Sequence, residues 1–136
     1  MRMPQRYQLG NYIVVNDLGD AKIINMSYSR LTVLLTTGEE IDLEYDKIRP
    51  IILTEEVLNK EEFSLIRCIE YELHSMVSYE IKINGKMHYL RGFVVNAEYL
   101  WSFNTLTFRY LHQLQNIISI IEPGYDLKGL EIFNIY

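Results

Sequence analysis

Paired acidic residues, three histidines and a single cysteine are the side chains of this chain whose types and spacing could do chemistry. Glu70, Glu72 and His74 alternate along the sequence. If residues 68–74 form a strand, these side chains project from one face at intervals of about 7 Å, where carboxylate and imidazole donors can meet a divalent metal. His88, in a neighbouring hairpin, is the candidate fourth ligand. The spacing matches no established metal signature, and the outward face of an ordinary amphipathic strand has the same pattern, so no metal is assigned. Cys68 stands between Arg67 and Ile69 without a nucleophile signature, which suits a buried structural thiol. There is no G-x-S-x-G elbow and no phosphate-cradling glycine loop, and the glycines fall singly in turns. These features describe a non-enzymatic protein for which no cofactor is implied.

A second polar set belongs to a helix. With Leu111, Leu114, Ile118 and Ile121 facing a core, His112, Gln115 and Ser119 lie together, while Gln113 and Asn116 are neighbours at a spacing of three. As a recognition surface, His112, Gln113, Gln115 and Asn116 would offer amide donors and acceptors to a partner. The structural alternative has the same amides bonding a sheet edge and the helix ends, tying the parts of the fold together. A third set is basic and aromatic: Lys82, Lys86, Arg91 and Arg109, with Tyr89 and Trp101, would suit sequence-tolerant nucleic-acid binding if they cluster.

The elements that must position these residues are legible in the hydrophobic pattern. Tyr12 to Val15, Ala21 to Met26, Leu31 to Leu35 and Glu40 to Tyr45 are short extended runs separated by polar turns, at the spacing of a small, strongly bent antiparallel sheet. Residues 7–53 therefore read as an SH3-like small β-barrel module, and residues 1–6 as a flexible N-terminus. Arg49-Pro50 ends the sheet, and Thr54 caps a short helix with Glu55 and Glu56 in its first turn and Glu61 and Glu62 on a solvated face. Residues 64–76 fit a helix face or a strand, and the strand is preferred because alternating runs follow. Tyr79 to Ile83 and Lys86 to Leu90 flank Asn84-Gly85, a pair whose tolerance of positive φ makes it the strongest short hairpin signal. Further extended runs are Gly92 to Val95 and Tyr99 to Phe103, where Trp101 fills the core. From Tyr110 the period lengthens to that of a helix, about 110–121, stopped by Pro123-Gly124. Tyr125 to Tyr136 reads as a last strand or a docking tail. The whole is an α+β protein: the SH3-like module, then residues 54–136 as a short helix and an antiparallel β-sheet packed by one C-terminal amphipathic helix, together one compact unit.

Composition sets the outer bounds. The chain has 136 residues, 49% hydrophobic, with 13 basic and 18 acidic side chains and a formal charge of −5. That length supports one domain with a full core and excludes disorder. The acidic balance argues against coating nucleic acid through bulk charge, though not against a local basic patch. One cysteine excludes an internal disulfide framework and points to a reducing, cytoplasmic setting. No apolar run approaches the roughly 20 residues needed to span a bilayer, so no membrane partner is expected.

Tyr110-Leu111-His112-Gln113-Leu114-Gln115-Asn116-Ile117 resembles the Y-V-H-Q-L-Q-N-L signature of a family of small uncharacterised proteins of Bacteroidota genomes and their phages and mobile elements. Leu9-Gly10-Asn11-Tyr12-Ile13 is similar to that family's L-x-x-G-N-x-V opening. Pro50 to Leu58 is similar to its P-I-x-L-T-E-E-x-L segment, and Tyr79 to Leu90 to its hairpin. The chain departs from the pattern at Glu62-Phe63, where the family often has Gly-Phe, and at Ser119 to Tyr125, which replaces an A-L-T-G-E-E-L ending. The resemblance implies a prophage or mobile-element setting and no reaction. The expectation is a binding or adaptor protein of such an element, acting in the host cell or with a virion through protein contacts. Eleven tyrosines suit that role. Nucleic-acid and metal binding are the alternatives, and a homo-oligomer is compatible with all three.

Overall fold

The computed structural model describes residues 7–61, 63–103, 105–125 and 127. The expected flexible N-terminus (1–6), Glu62 and the tail beyond Leu127 lie outside the described residues. Two five-stranded antiparallel sheets, a one-turn helix and a C-terminal helix make up a mostly β molecule.

The first sheet is a meander of β1 (Tyr12–Val15), β2 (Gly19–Met26), β3 (Arg30–Leu35) and β4 (Glu40–Glu44). A 3-10 turn at Tyr45–Lys47 then leads to β5 (Ile48–Pro50), which returns to pair with β1. The strand order is β4-β3-β2-β1-β5. No ladder joins the edges β4 and β5, so among the described residues there is no closed barrel, and the expected small barrel is here a five-stranded sheet. Tyr45, expected at the end of a strand, belongs to the 3-10 turn, where its hydroxyl donates to the Ser27 carbonyl at 2.8 Å. Alternation places Leu31, Val33 and Leu35 in a core proper to this sheet, with Ile13, Val15, Ala21, Ile23, Leu43 and Ile48.

β1 is buried on both faces. Ile13 and Val15 enter that first core, whereas Tyr12 and Val14 face a second, larger one. The larger core joins them to Ile51, Leu53 and Leu58, to the inner face of the second sheet, and to Leu111, Leu114 and Ile118. Helix α1 (Glu55–Leu58) starts as its sequence suggests: the Val57 amide donates to the Thr54 hydroxyl, and Leu53 and Leu58 are both fully buried.

The second sheet comprises β6 (Ser64–Glu70), β7 (Ser75–Ile83), β8 (Lys86–Val95), β9 (Glu98–Phe103) and β10 (Leu106–Phe108), ordered β10-β9-β8-β7-β6. Residues 64–76 are thus extended, but as parts of two strands. A tight turn intervenes, in which the Tyr71 amide bonds the His74 carbonyl at 2.8 Å. Asn84 and Gly85 both take positive φ, 52° and 82°, and close the β7–β8 hairpin. Asn96 and Ala97 do the same between β8 and β9, with φ of 50° and 65°, although that pair lacks the glycine that would announce it. Cys68, expected to be buried, is exposed, because β6 is a free edge that the helix does not cover. Helix α2 (Leu111–Ile121) lies against the inner face of this sheet and against β1. The segment 51–53 runs beside 109–111, bonded through Leu53 N–H to Arg109 O and Leu111 N–H to Ile51 O, each at 2.9 Å.

Candidate functional site

Strand parity decides what the outer face of the second sheet presents. On β7 the odd residues Val77, Tyr79, Ile81 and Ile83 are buried, so Met76, Ser78, Glu80 and Lys82 face outward. On β8 the parity reverses: Leu90 and Gly92 are buried, and Met87, Tyr89, Arg91 and Phe93 face outward. Directly opposed residues of an antiparallel ladder share a face. Arg67, Ser78, Arg91, Ser102 and Thr107 are opposed in succession from β6 to β10, and form one polar row across all five strands. Ile69, Met76, Phe93 and Leu100 form a parallel apolar row, two residues or about 7 Å further along the strands. A register shift between Leu65 and Arg67 marks a bulge, which brings Ile66 beside Arg67 on the outer side.

A groove of about 550 Å³ lies over this face, lined by Ile66, Arg67, Ser78, Met87, Tyr89 and Arg91 among others. Tyr89 is 60% exposed and Met87 42%. Beyond the groove on the same face, Phe93 and Leu100 line a second, smaller depression, and Phe93 is met by the His74 ring at 4.7 Å, which stacks on Tyr71 at 4.6 Å. The outer face carries Arg67, Lys82 and Arg91 against Glu80 on β7 and Glu98 at the start of β9, so the row of Arg67 and Arg91 is a cationic patch on a chain of formal charge −5.

The basic and aromatic set divides under this geometry. Lys82, Tyr89 and Arg91 share the open face. Trp101 does not: it is fully buried, stacks on Tyr99 at 5.3 Å, and donates from Nε1 to the Leu53 carbonyl at 2.7 Å, so it is unavailable for base stacking. Lys86 opens β8 near Glu122, and Arg109 donates to the Tyr99 carbonyl at 3.2 Å. Arg67, Ser78, Phe93 and Ser102 were missing from the set. The Met87-Tyr89-Arg91-Phe93 alternation would have indicated Phe93, but the β6 bulge hides Arg67 from any period-two reading.

The four metal candidates are not brought together. β6 ends at Glu70, Glu72 and His74 lie in the following turn, and His74 packs on Phe93. Ser75 pairs with Val94, six residues along β8 from His88, so the sheet separates His74 and His88 by about 20 Å. His88 instead lies 3.0 Å from Glu122 Oε2, while the Asn84 amide donates to Glu122 Oε1 at 3.2 Å. The Asn84 bond and then the His88 contact hold the Glu122 carboxyl below the usual carboxylate range. Among the described residues no group of three or more potential metal-ligating side chains converges.

The helix amides are engaged within the fold. Gln115 accepts from the Tyr12 amide at 2.9 Å and donates to the Gly10 carbonyl at 3.1 Å, and Asn116 accepts from the Asn11 side chain at 2.8 Å. Gln113 Oε1 accepts from the amides of Arg109 and Tyr110, both at 3.1 Å, and closes the start of α2. His112 is fully buried, its ring 4.6 Å from that of Tyr7. The bonds of Gln115 and Asn116 fasten α2 to the N-terminal sheet, and those of Gln113 close the helix start, in the manner of the structural alternative.

Glu55 forms one more cluster, accepting from the hydroxyls of Tyr79 at 2.6 Å and Tyr99 at 3.3 Å. Burial, then the bond to Glu55, pushes the Tyr79 hydroxyl well above the usual tyrosine range, so it remains a donor that pins α1 to the sheet. Among the described residues no helix is long and apolar enough to cross a membrane. No protein-family model matches the chain, and neither a curated protein nor a solved structure does.

Proposed function

We propose that this chain is a non-enzymatic protein-binding module, of adaptor type, whose partner surface is the outer face of the second sheet. The observation that carries the proposal is the composition of that face. Met76, Met87, Tyr89, Phe93 and two arginines stand together, the residue types enriched in protein interfaces, with methionine supplying adaptable contact area. An open sheet face of this kind is far more apolar and aromatic than solvent contact requires. In the mobile-element setting that the resemblance implies, the partner is a protein of the element or of its host.

The first sheet supports the face without being part of it. Its strand order, with a 3-10 turn before a last strand that returns to β1, supports reading it as an SH3-like half-barrel. We read it as a scaffold that α2 holds against the second sheet. Sequence-tolerant nucleic-acid binding is the second reading, favoured by Arg67 and Arg91 beside Tyr89, and opposed by the burial of Trp101 and the net charge of −5.

The test is a selection of random 16-residue peptides, displayed on phage, against the purified full chain. Peptides that bind the wild type should lose binding to Met87→Glu and Tyr89→Glu, whose exposed positions leave the fold intact by circular dichroism. They should retain binding to Tyr28→Glu, at the fully exposed tip of the β2–β3 hairpin. Peptides that bind Met87→Glu and Tyr89→Glu as well as the wild type would place the partner surface elsewhere.

A further inference from the structure

The polar row on this face carries an inference about the partner's chemistry, and it rests on the protein-binding reading above. Arg67, Ser78, Arg91 and Ser102 occupy successive strands at directly opposed positions. With strands about 4.8 Å apart, the two arginines stand roughly 10 Å apart at the backbone, with Ser78 between them. Their side chains are long enough to converge above it. Among the described residues neither guanidinium has a hydrogen bond or ion pair, and neither serine hydroxyl has a hydrogen bond. All four line the 550 Å³ groove.

An arginine on a free surface needs no partner, but two arginines aligned across a groove, separated by a hydroxyl and unopposed by a carboxylate in their own row, present forks that match carboxylate geometry. The adjoining apolar row, Ile69, Met76, Phe93 and Leu100, lies about 7 Å away, within the width of a single helix or strand with its side chains. A groove of this volume takes the side chains of a chain segment and is too small for the body of a folded domain.

We infer that the groove receives an acidic, amphipathic peptide segment of the protein partner. Its carboxylates sit on Arg67 and Arg91 beside Ser78 and Ser102, and its apolar residues lie on Met76, Phe93 and Leu100. Charge complementarity selects this occupant. The chain as a whole is net acidic, so an acidic segment is steered to the arginine row and disfavoured by the bulk of the surface.

The experiment uses the peptides selected on the full chain, resynthesised and titrated by fluorescence anisotropy. The expected pool is rich in Asp and Glu interleaved with Leu, Ile and Phe, and its affinity falls at least tenfold for Arg67→Gln/Arg91→Gln, with partial recovery in Arg67→Lys/Arg91→Lys. Raising salt from 50 to 300 mM should weaken binding to the wild type and leave the double Gln variant nearly unchanged. A neutral or basic pool, or full affinity in the double Gln variant while Met87→Glu still abolishes binding, would overturn the acidic-segment inference and leave the protein-binding face standing. A parallel titration with (dT)15 and r(U)15 closes the other route. Oligonucleotide binding at 150 mM salt that exceeds that of every selected peptide and is lost in the double Gln variant would overturn both.

Discussion

Gly92 shows how one residue sets the packing beneath the outer face of the second sheet. It is directly opposite Trp101 on the buried side of β8 and β9, and a Cβ added there would lie 2.5 Å from Trp101 Cζ3. The indole is fully buried and tied to Leu53, so it has nowhere to retreat. Gly92→Ala should therefore cost about 1–3 kcal/mol by overpacking, seen as a lower urea midpoint and altered tryptophan emission. Trp101 is legible as core from its place in an extended aromatic run, with base stacking as the less favoured alternative; the parity of β9 against β8 puts it inside. Glu122 gives a second residue-scale prediction. Its carboxyl is held below the ordinary value of 4.5, first by Asn84 and then by His88, so it is deprotonated in the folded state where the unfolded chain has begun to bind a proton. The clamp's contribution is complete above the ordinary carboxylate range and is lost as pH falls through the depressed value. Urea unfolding from pH 7 to pH 3 should show wild type more stable than Glu122→Gln near neutrality, with the difference shrinking below about pH 4.5. A constant difference across that range would mean that the ionised carboxylate contributes nothing. His88 stands in the sequence only as a candidate fourth ligand, because spacing along the chain does not show that α2 ends beside β8.

At the scale of elements, α2 and the hairpins carry the argument. Gln115 satisfies both an amide and a carbonyl of the N-terminal sheet across 103 and 105 residues of sequence. Gln115→Ala leaves both groups without this partner and should destabilise the fold by about 1–2 kcal/mol, while Gln115→Glu, which keeps only the acceptor, should recover part of the loss. If partners instead used these amides, Gln115→Ala would weaken peptide binding with little change in stability. The β8–β9 turn is a second test. Ala97 adopts a φ of 65°, a left-handed conformation that disfavours a side chain. Ala97→Gly should raise stability by about 0.5–1 kcal/mol in chemical denaturation, without altering the outer face of the sheet. The Asn84-Gly85 hairpin and the helical period after Tyr110 were legible because each signal is local and backed by backbone chemistry. The end of β6 at Glu70 was less so, since Tyr71 and Leu73 continue the alternation through a turn that carries no glycine or proline.

For the whole molecule, the two sheets differ in what they leave open. The first closes its apolar residues into its own core and, through β1 and α2, into the shared one; the second buries one face and exposes the other. The amino-acid pattern reveals both sheets and the closing helix, because alternation and period are properties of single segments. It does not reveal the proposed binding face, which exists only once five strands are placed in register and a bulge turns Ile66 and Arg67 outward. The acidic total likewise conceals a cationic patch that forms only when Arg67, from β6, comes within two strands of Arg91. The measurement that tests this account most directly is chemical-shift mapping of the uniformly 15N-labelled full chain titrated with a selected peptide. The account predicts that the perturbed amides centre on Arg67, Ser78, Met87, Tyr89, Arg91, Phe93 and Ser102, with β2, β3 and β4 silent. Perturbations centred on the first sheet or on the exposed side of α2, with the amides of β8 unmoved, would contradict it.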